Sequence, residues 1–571
     1  MSAVKTLAAL MVGLLATQLA WLIVVPAFWG PDEISHLYRT SDVVAGHWQP
    51  STTPIADGQE GHGDLVRVAE DLVVAASSAC TRHFVGDANC DPQPAPAGEP
   101  DPGEGRVWVA STAGRYNPVW YATVGQAVRV GEGAETLLAL RVAGLLACDV
   151  LIALGLLLIL QRRSRPLLLA ALGCLTPTTV MSTATAAPNG AHYAGAFLLC
   201  AAAAYALTVP AVPSGQGSLA GPGREPARRW WLLAAACGAV VMLSTHTLGL
   251  VWFAAVSAAA LVAAAPQARR LVRIAAASQN RWAAVAATVP VLATAVGCAA
   301  WIASSRVNDP RTVAGEFAGT GVPPTWGLVL GEVPTWWWQM VSMPVARVSP
   351  GGALTYQLVG VLGVAAALLT LRAARTCRRS SQVRVLVRTL ELLVTLAVAV
   401  PIAATWVSFE AVGAAWQGRY ALPVAFAAVM LSGVVCHHAN LAATRSRRDR
   451  SPVSRTSSRS GHGSRNRRGS VLVSWAAHLA ADDRSGAGGR DRAGVGASAA
   501  LAGMWFAASG VSLWSAAVYH SARAGQLPTA QSALGITACS LFAAAAWAVG
   551  LHRHRCDSRA VSVDDAGAGA R

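Results

Sequence analysis

The sequence predicts an all-α fold: a polytopic transmembrane bundle of about twelve helices with a long first extracytoplasmic loop. Of the 571 residues, 54% are apolar and only 13% are charged, which is too little charge for the surface of a soluble protein of this size. The apolar residues form blocks about twenty residues long, enough to cross a hydrocarbon core of about 30 Å. Basic residues are concentrated in alternate loops between these blocks, as in multi-pass membrane proteins.

The apolar blocks give the following predicted helices: 7–25, 136–160, 166–186, 191–210, 230–245, 248–266, 282–304, 354–371, 389–409, 420–438, 497–519 and 531–551. We interpret the first block as a retained helix because only Lys5 precedes it as a basic residue and no small-x-small cleavage site follows. The apolar stretch 230–266 is divided at the polar segment 244–247, since arginines at both of its ends require an even number of crossings.

The net charge of +16 has a topological explanation. Arginine-rich loops follow every second helix, which places these loops and both termini in the cytoplasm. Binding to nucleic acid is not required to explain this charge, because its distribution already follows the positive-inside pattern.

These features divide the chain into four parts: a membrane core (1–438) that includes the outer loop 26–135, an Arg/Ser/Gly-rich cytoplasmic loop (439–496) expected to be disordered, two C-terminal helices (497–551) and a cytoplasmic tail (552–571). The outer loop contains Cys80 and Cys90, while the other nine of the eleven cysteines fall in predicted helices or cytoplasmic segments. A pair on the oxidising side predicts a disulfide, and two free thiols are the alternative.

An acidic motif directly follows the first helix. Asp32 and Glu33 lie one helical turn before His36, in a segment 31–48 whose pattern predicts an amphipathic helix lying in the membrane interface. Acids favour a helix N-terminus electrostatically, which is one explanation for the pair. The other is a catalytic carboxylate at the outer membrane surface, with Asp32, His36 and Arg39 on one face. We expect no cofactor; the alternative is a divalent metal held by Asp32, Glu33 and His36, which lie within one helical turn.

Three ordered motifs resemble one family. In chain order they are Pro31-Asp32-Glu33-Ile34-Ser35-His36, Arg115-Tyr116-Asn117-Pro118-Val119-Trp120-Tyr121 and Gln417-Gly418-Arg419-Tyr420-Ala421-Leu422-Pro423. Each is similar to a segment of the bacterial membrane proteins of domain-of-unknown-function family 2142. The resemblance covers about residues 1–440. The turn after the third helix departs from the family pattern: it reads Ala187-Pro188-Asn189-Gly190-Ala191-His192 and has no acid. If this turn binds substrate in relatives, Asn189 or His192 takes that role here, or the role is missing.

The layout of this family is similar to that of the GT-C membrane glycosyltransferases. The resemblance therefore implies a GT-C-like core in a bacterial inner membrane, with a polyprenyl-phosphate sugar as donor, an envelope glycan or lipid as acceptor and membrane lipids as surroundings. It adds Tyr116, Tyr121, Gln417 and Tyr420 as candidate substrate-binding residues.

The chemistry of such a donor suggests roles for the charged residues. A base must take the proton of the acceptor hydroxyl, which Asp32 or Glu33 can do, and we favour Asp32. A cation must neutralise the phosphate leaving group: Arg419 is the first candidate, and Arg115 and Arg141 at the outer membrane edge follow. The alternatives for Arg419 are an ion pair with the nearby Glu410 or an anchor to lipid headgroups.

Two other functions stay open. A transporter or flippase of lipid-linked sugars fits the number of helices and the intramembrane acid Asp149. A non-catalytic scaffold for envelope assembly would use the outer loop for docking. The glycosyltransferase hypothesis requires Asp32 and Arg419 to meet at one rim of the bundle. The sugar and the acceptor are not determined by the sequence.

Overall fold

A computed structural model of the protein describes residues 2–49, 64–83, 105–208, 227–267, 281–307, 321–342, 380–413, 416–450, 507–518 and 534–549, with isolated positions between 357 and 377 and Leu551. Within these residues, seven helices are long and apolar enough to cross a membrane, and an eighth crossing results if one bent pair is counted as a span. The polytopic helical architecture is thus as predicted. The count of twelve stays a prediction, because the helix expected at 354–371 lies largely outside the described residues.

The first half of the chain contains ten helices among the described residues: α1 (Ser2–Val24), α2 (Glu33–Val44), α3 (Glu70–His83), α4 (Val119–Thr123), α5 (Ala134–Gln161), α6 (Arg165–Cys174), α7 (Pro177–Thr183), α8 (Asn189–Leu207), α9 (Ala227–Thr245) and α10 (Gly249–Ala264). The apolar stretch 230–266 indeed forms two helices, α9 and α10. The predicted helix 166–186 is instead two helices, because Pro177 disfavours helical geometry at Thr176. Thr176 then caps α7 by accepting a hydrogen bond from the Thr179 N–H, and the pair bends by 64°.

The second half contributes α11 (Arg281–Ser305), α12 (Trp326–Gly331), α13 (Val333–Ser342), α14 (Ser381–Val412) and α15 (Leu422–Arg450), followed by the shorter apolar helices α16 (Ala507–Val518) and α17 (Leu534–Val549). A 3₁₀ turn, Gly418–Ala421, leads into α15. Helix α15 continues to Arg450, beyond the end predicted at 438. The remainder of the loop predicted to be disordered lies outside the described residues, as does Cys90, so the Cys80–Cys90 disulfide stays a prediction.

The outer loop contains a small sheet that the sequence analysis did not predict. Strands β1 (Asp64–Ala69) and β2 (Arg106–Ser111) pair antiparallel, with Asp64 opposite Ser111 and Ala69 opposite Arg106. Val66, Val68 and Val109 are buried and pack in one cluster with Leu37 of α2. The alternating valines of both strands are the sequence signal for this sheet.

This sheet changes the environment of α2. The helix was expected to lie in the membrane interface with one polar face, but its residues are buried on both sides, including His36, Arg39 and Asp42. The sheet packs on one side of α2, and α4 with the 3₁₀ turn Val124–Arg129 packs on another. Helix α2 is therefore a buried element of a lobe that it forms with β1, β2 and α4.

Helix α8 lies at the centre of the bundle, packed against α5, α9 and α15. It crosses α9 at two glycines: a Cβ atom on Gly195 would lie 2.8 Å from the Gly238 carbonyl oxygen, and one on Gly238 would lie 2.6 Å from the Gly195 carbonyl oxygen. Only glycine permits this close approach of backbones. The crossing fixes the start of α8 against the end of α9, where the candidate site lies.

Candidate functional site

Asp32 and Glu33 lie where the chain leaves α1 and enters α2. Asp32 is the N-cap position of α2, with φ 58° and ψ 12°, a left-handed conformation that few non-glycine residues adopt. Within the described structure, its side chain makes no capping hydrogen bond to α2. Asp32 therefore does not cap α2 through its side chain, and the electrostatic preference of acids for a helix N-terminus stays an open explanation for its position.

Glu33 turns in the opposite direction and is fully enclosed. Its carboxylate pairs with the Arg141 guanidinium of α5 at 2.6 Å and 2.8 Å. It also accepts hydrogen bonds from the backbone N–H groups of Gly30 and Ala186. Arg141 in turn donates to the carbonyl oxygens of Val25 and Pro26. This network joins the end of α1, the start of α2, α5 and the turn before α8.

Arg419 approaches from the other end of the chain. The turn that carries it is held against α13: the Gly418 N–H donates to Gln339 Oε1 at 2.5 Å, and a Cβ on Gly418 would overlap the backbone carbonyl group of Trp336. Helix α13 is itself tied to the bent helix pair, because Thr176 and Thr178 donate to carbonyl oxygens of α13. The Trp-rich helix thus positions the arginine, a role that the sequence did not reveal.

Asp32 and Arg419 form an ion pair although they are 387 residues apart in the chain. The two side chains therefore meet, as the glycosyltransferase hypothesis requires. The Arg419 side chain is 2% exposed and that of Asp32 is 34% exposed, so the pair is open on the carboxylate side. Burial opposes ionisation of Asp32, but Arg419 and His36 outweigh it and lower the pKa of this carboxyl group.

His36 lies one turn along α2 and shares a hydrogen bond of 2.8 Å with the Tyr121 hydroxyl group. Burial lowers the pKa of His36 from 6.5 to about 4, and the nearby Asp32 only partly opposes this shift. At neutral pH the imidazole is therefore neutral, and the charges at the site are two arginine–carboxylate pairs.

Rings from five segments pack beside the Asp32–Arg419 pair. We call these the aromatic–imidazole cluster: His36, Tyr116, His192, Tyr193, His246 and Tyr420. Ring centroids are 5.3 Å apart for His36 and Tyr116, 4.9 Å for His192 and His246, and 5.3 Å for His246 and Tyr420. The ring centroids of Tyr116 and His246 are 6.4 Å apart, which links the His36–Tyr116 pair to the rings around His246. The cluster contains three of the residues that the family motifs suggested, His36, Tyr116 and Tyr420, together with His192.

Other candidate residues from the sequence lie elsewhere. Arg39 pairs with Asp42 at 2.9 Å, and Arg115 forms a forked pair with Asp64 of β1. Asn189 is buried in the first turn of α8, and Gln417 precedes the Arg419 turn with its Oε1 atom buried. Asp149 accepts a hydrogen bond from Gln18 of α1. Arg141 joins α5 to the start of α2 and the end of α1, whereas the ion pairs of Arg39 and Arg115 lie within residues 39–115.

Two members of the cluster were not assigned to the site by the sequence analysis. His246 lies in the short break between α9 and α10, and Tyr193 directly follows His192. The polar interruption 244–247 within an otherwise apolar stretch was the available signal for His246. For Tyr193, the sequence offered only its position beside His192.

The described residues contain no group of three His, Cys, Asp or Glu side chains placed to hold a metal ion. Asp32 and Glu33 diverge, since each is directed to a different arginine. A metal held by both acids would therefore require a rearrangement of the Glu33–Arg141 network.

Comparison with known proteins gives one assignment. No curated protein and no solved structure shows significant similarity to this chain. The model of the family described as predicted membrane protein DUF2142 matches residues 15–317, which is more than half of the 571 residues. The matched segment contains both acids and His192, and it ends before Arg419. The chain thus belongs to the DUF2142 family of predicted membrane proteins.

Proposed function

We propose that this protein is a membrane glycosyltransferase that moves a sugar from a polyprenyl-phosphate donor to an envelope glycan or lipid on the extracytoplasmic face. The observation that carries this proposal is the Asp32–Arg419 pair, which is buried on the arginine side and open on the carboxylate side. A buried ion pair that serves only stability is normally enclosed by further hydrogen bonds, as Glu33 is.

The pair supplies a base and a cation for one reaction. Asp32 is ionised at neutral pH and takes the proton of the acceptor hydroxyl group. The acceptor oxygen forms a bond to the anomeric carbon as the bond from this carbon to the phosphate oxygen breaks. The polyprenyl phosphate leaves with one additional negative charge. Asp32 later releases its proton to water.

Arg419 stays next to the negative charge at every step of this reaction. Before the reaction it neutralises Asp32; after proton transfer Asp32 is neutral, and the phosphate carries the new charge. The guanidinium can exchange one oxygen partner for the other without moving far, because its Nε atom is buried with no hydrogen-bond partner among the described residues. Such a fixed cation in a site of low dielectric constant stabilises developing charge strongly.

Reconstitution provides the test. The full-length protein in vesicles would receive polyprenyl-phosphate-linked hexoses with a radiolabelled sugar, together with envelope glycan as acceptor. We expect transfer of label by the wild type, loss of transfer in Asp32→Asn and Arg419→Lys, and wild-type transfer in Glu132→Gln, a matched exposed acid of the outer loop.

Three outcomes would overturn the proposal. Unchanged transfer in both site variants would show that Asp32 and Arg419 do not carry the reaction. Movement of the labelled lipid across the vesicle membrane without formation of a new glycosidic bond would identify a transporter. Neither transfer nor movement by a folded wild-type protein, across the panel of hexoses, would identify a scaffold.

A further inference from the structure

The Nε2 atoms of His192 and His246 have opposite hydrogen-bonding roles: the first can accept and the second can donate. The Nδ1 atom of His192 lies 3.0 Å from the Met242 carbonyl oxygen. A carbonyl oxygen can only accept, so Nδ1 carries the proton and Nε2 of this neutral ring carries a lone pair. His192 is 1% exposed, and its Nε2 has no hydrogen-bond partner in the described part of the chain.

His246 has the reverse arrangement. Its Nδ1 accepts a hydrogen bond of 3.0 Å from the Leu248 N–H. A backbone N–H can only donate, so Nδ1 is unprotonated and the neutral ring carries its proton on Nε2. No described residue accepts a hydrogen bond from this Nε2–H. Burial lowers the pKa of His246 well below 6.5, so the ring stays neutral.

The two rings are 4.9 Å apart, and a third group lies beside them. The Tyr193 ring is 5.8 Å from His192, and its hydroxyl group is buried with no partner among the residues described. A buried polar atom without a partner costs about 1–3 kcal/mol, so the unpartnered Nε2 of His192 and hydroxyl group of Tyr193 indicate that a ligand supplies the missing hydrogen bonds.

The chemistry of these groups selects the ligand. A lone pair on His192 repels an anion and requires a donor, whereas the Nε2–H of His246 requires an acceptor. A hydroxyl group is both. The flat faces of Tyr116 and Tyr420, each within 6.4 Å of the His246 ring, suit the C–H faces of a sugar ring.

We propose that His192, His246 and Tyr193 form the subsite that binds the hydroxyl groups of the donor's sugar ring. This inference rests on the proposed function and assigns specificity within it: Arg419 recognises the phosphate, which every polyprenyl-phosphate sugar has, and the histidines recognise the sugar.

The test measures binding of two probes to the full-length protein in nanodiscs: polyprenyl phosphate without sugar, and the same lipid carrying a hexose. The informative variants are His192→Asn and His246→Asn. Asparagine can keep the hydrogen bond that each Nδ1 makes to the backbone and removes the Nε2 atom. His437→Asn is the control, since His437 is partly buried and pairs with Ser164 far along α15.

We expect the wild type to bind the hexose-bearing lipid more tightly than the sugar-free lipid. Each variant should lose about tenfold in affinity for the hexose-bearing lipid, the usual loss for one buried hydrogen bond, with unchanged affinity for the sugar-free lipid. The control should match the wild type for both probes. Lipids carrying monodeoxy hexoses sharpen the test. One of them should bind the wild type about tenfold more weakly than the unmodified hexose-bearing lipid does, and the two lipids should bind His192→Asn equally.

The outcomes separate the two proposals. If the wild type shows no preference for any hexose-bearing lipid of the panel, the proposed function fails. If the wild type has this preference and both variants keep it, only the sugar subsite is overturned. An equal loss for both probes would mean that the variants disturb the fold, and it would also overturn the assignment of these nitrogens to the sugar.

Discussion

The two arginine–carboxylate pairs at the start of α2 use the same chemical groups at consecutive positions and differ in almost every physical respect. Glu33 has accepted hydrogen bonds from Arg141 and from two backbone N–H groups, and it is closed to solvent. Asp32 has one arginine partner, a left-handed backbone and one third of its side chain exposed. The comparison teaches that an ion pair alone does not define the environment of an acid: Glu33 is saturated with hydrogen bonds, whereas Asp32 keeps an exposed carboxylate, which is why we propose Asp32 as the reactive acid.

The largest expected effect concerns Asp32→Asn. We expect sugar transfer to fall by about 10²–10⁴-fold, since the amide cannot accept the acceptor's proton. Asparagine can still accept a hydrogen bond from Arg419 but leaves this buried charge without a counter-charge, so the melting temperature should also fall while the protein stays folded. Transfer rates and thermal unfolding of the same preparation check both statements. A folded variant with full activity would show that Asp32 is structural, like Glu33.

Glu33→Gln should act on stability. The amide leaves the Arg141 charge buried without a counter-charge, and breaking such a pair costs about 3–5 kcal/mol. We expect a strongly lowered melting temperature and reduced recovery of protein from the membrane. Glu132→Gln, an exposed acid of the same loop, should be unaffected. A stable but inactive Glu33→Gln protein would reverse the roles that we assign to the two acids.

His36, one turn from Asp32, should make the stability of the folded protein depend on pH. Its pKa is about 4 in the folded protein and 6.5 in the unfolded chain, so the stability that depends on a neutral His36 is complete above pH 6.5 and is lost as the pH falls toward 4. This corresponds to about 3 kcal/mol over that range. Thermal unfolding at pH 7 and pH 4.5 should show a smaller difference for His36→Asn than for the wild type. Equal differences would mean that His36 ionises normally.

The smallest expected effect concerns the support of Arg419. Gly418→Ala would bring a methyl group onto the Trp336 carbonyl group, and we expect a loss of about 1–3 kcal/mol, measured by thermal unfolding. Gly297→Ala is the control, because no described atom outside the local helix lies within 4 Å of a Cβ at that position. Its stability should be equal or slightly higher. An unchanged Gly418→Ala protein would mean that the turn is not held tightly against α13.

Much of the membrane architecture could be predicted from the sequence. Apolar blocks of membrane length and the proline at 177 are local features, and local features decide where a helix begins and ends. The sheet β1–β2 and the enclosure of α2 were not predicted, because the partners that bury α2 are strands more than twenty residues distant in the chain. An amphipathic pattern tells which face of a helix is apolar, but it does not tell what covers the other face.

The sequence by itself determined that this is a polytopic membrane protein with an acidic motif after the first helix and an arginine motif before α15. Only the tertiary structure decided which acid meets which arginine, because Asp32 and Glu33 are chemically equivalent neighbours and their directions depend on the left-handed backbone at Asp32. It also decided that His246 joins His192, since that contact requires the glycine crossing of α8 and α9. Pairing between distant segments depends on packing in three dimensions, and no local pattern in the chain records it.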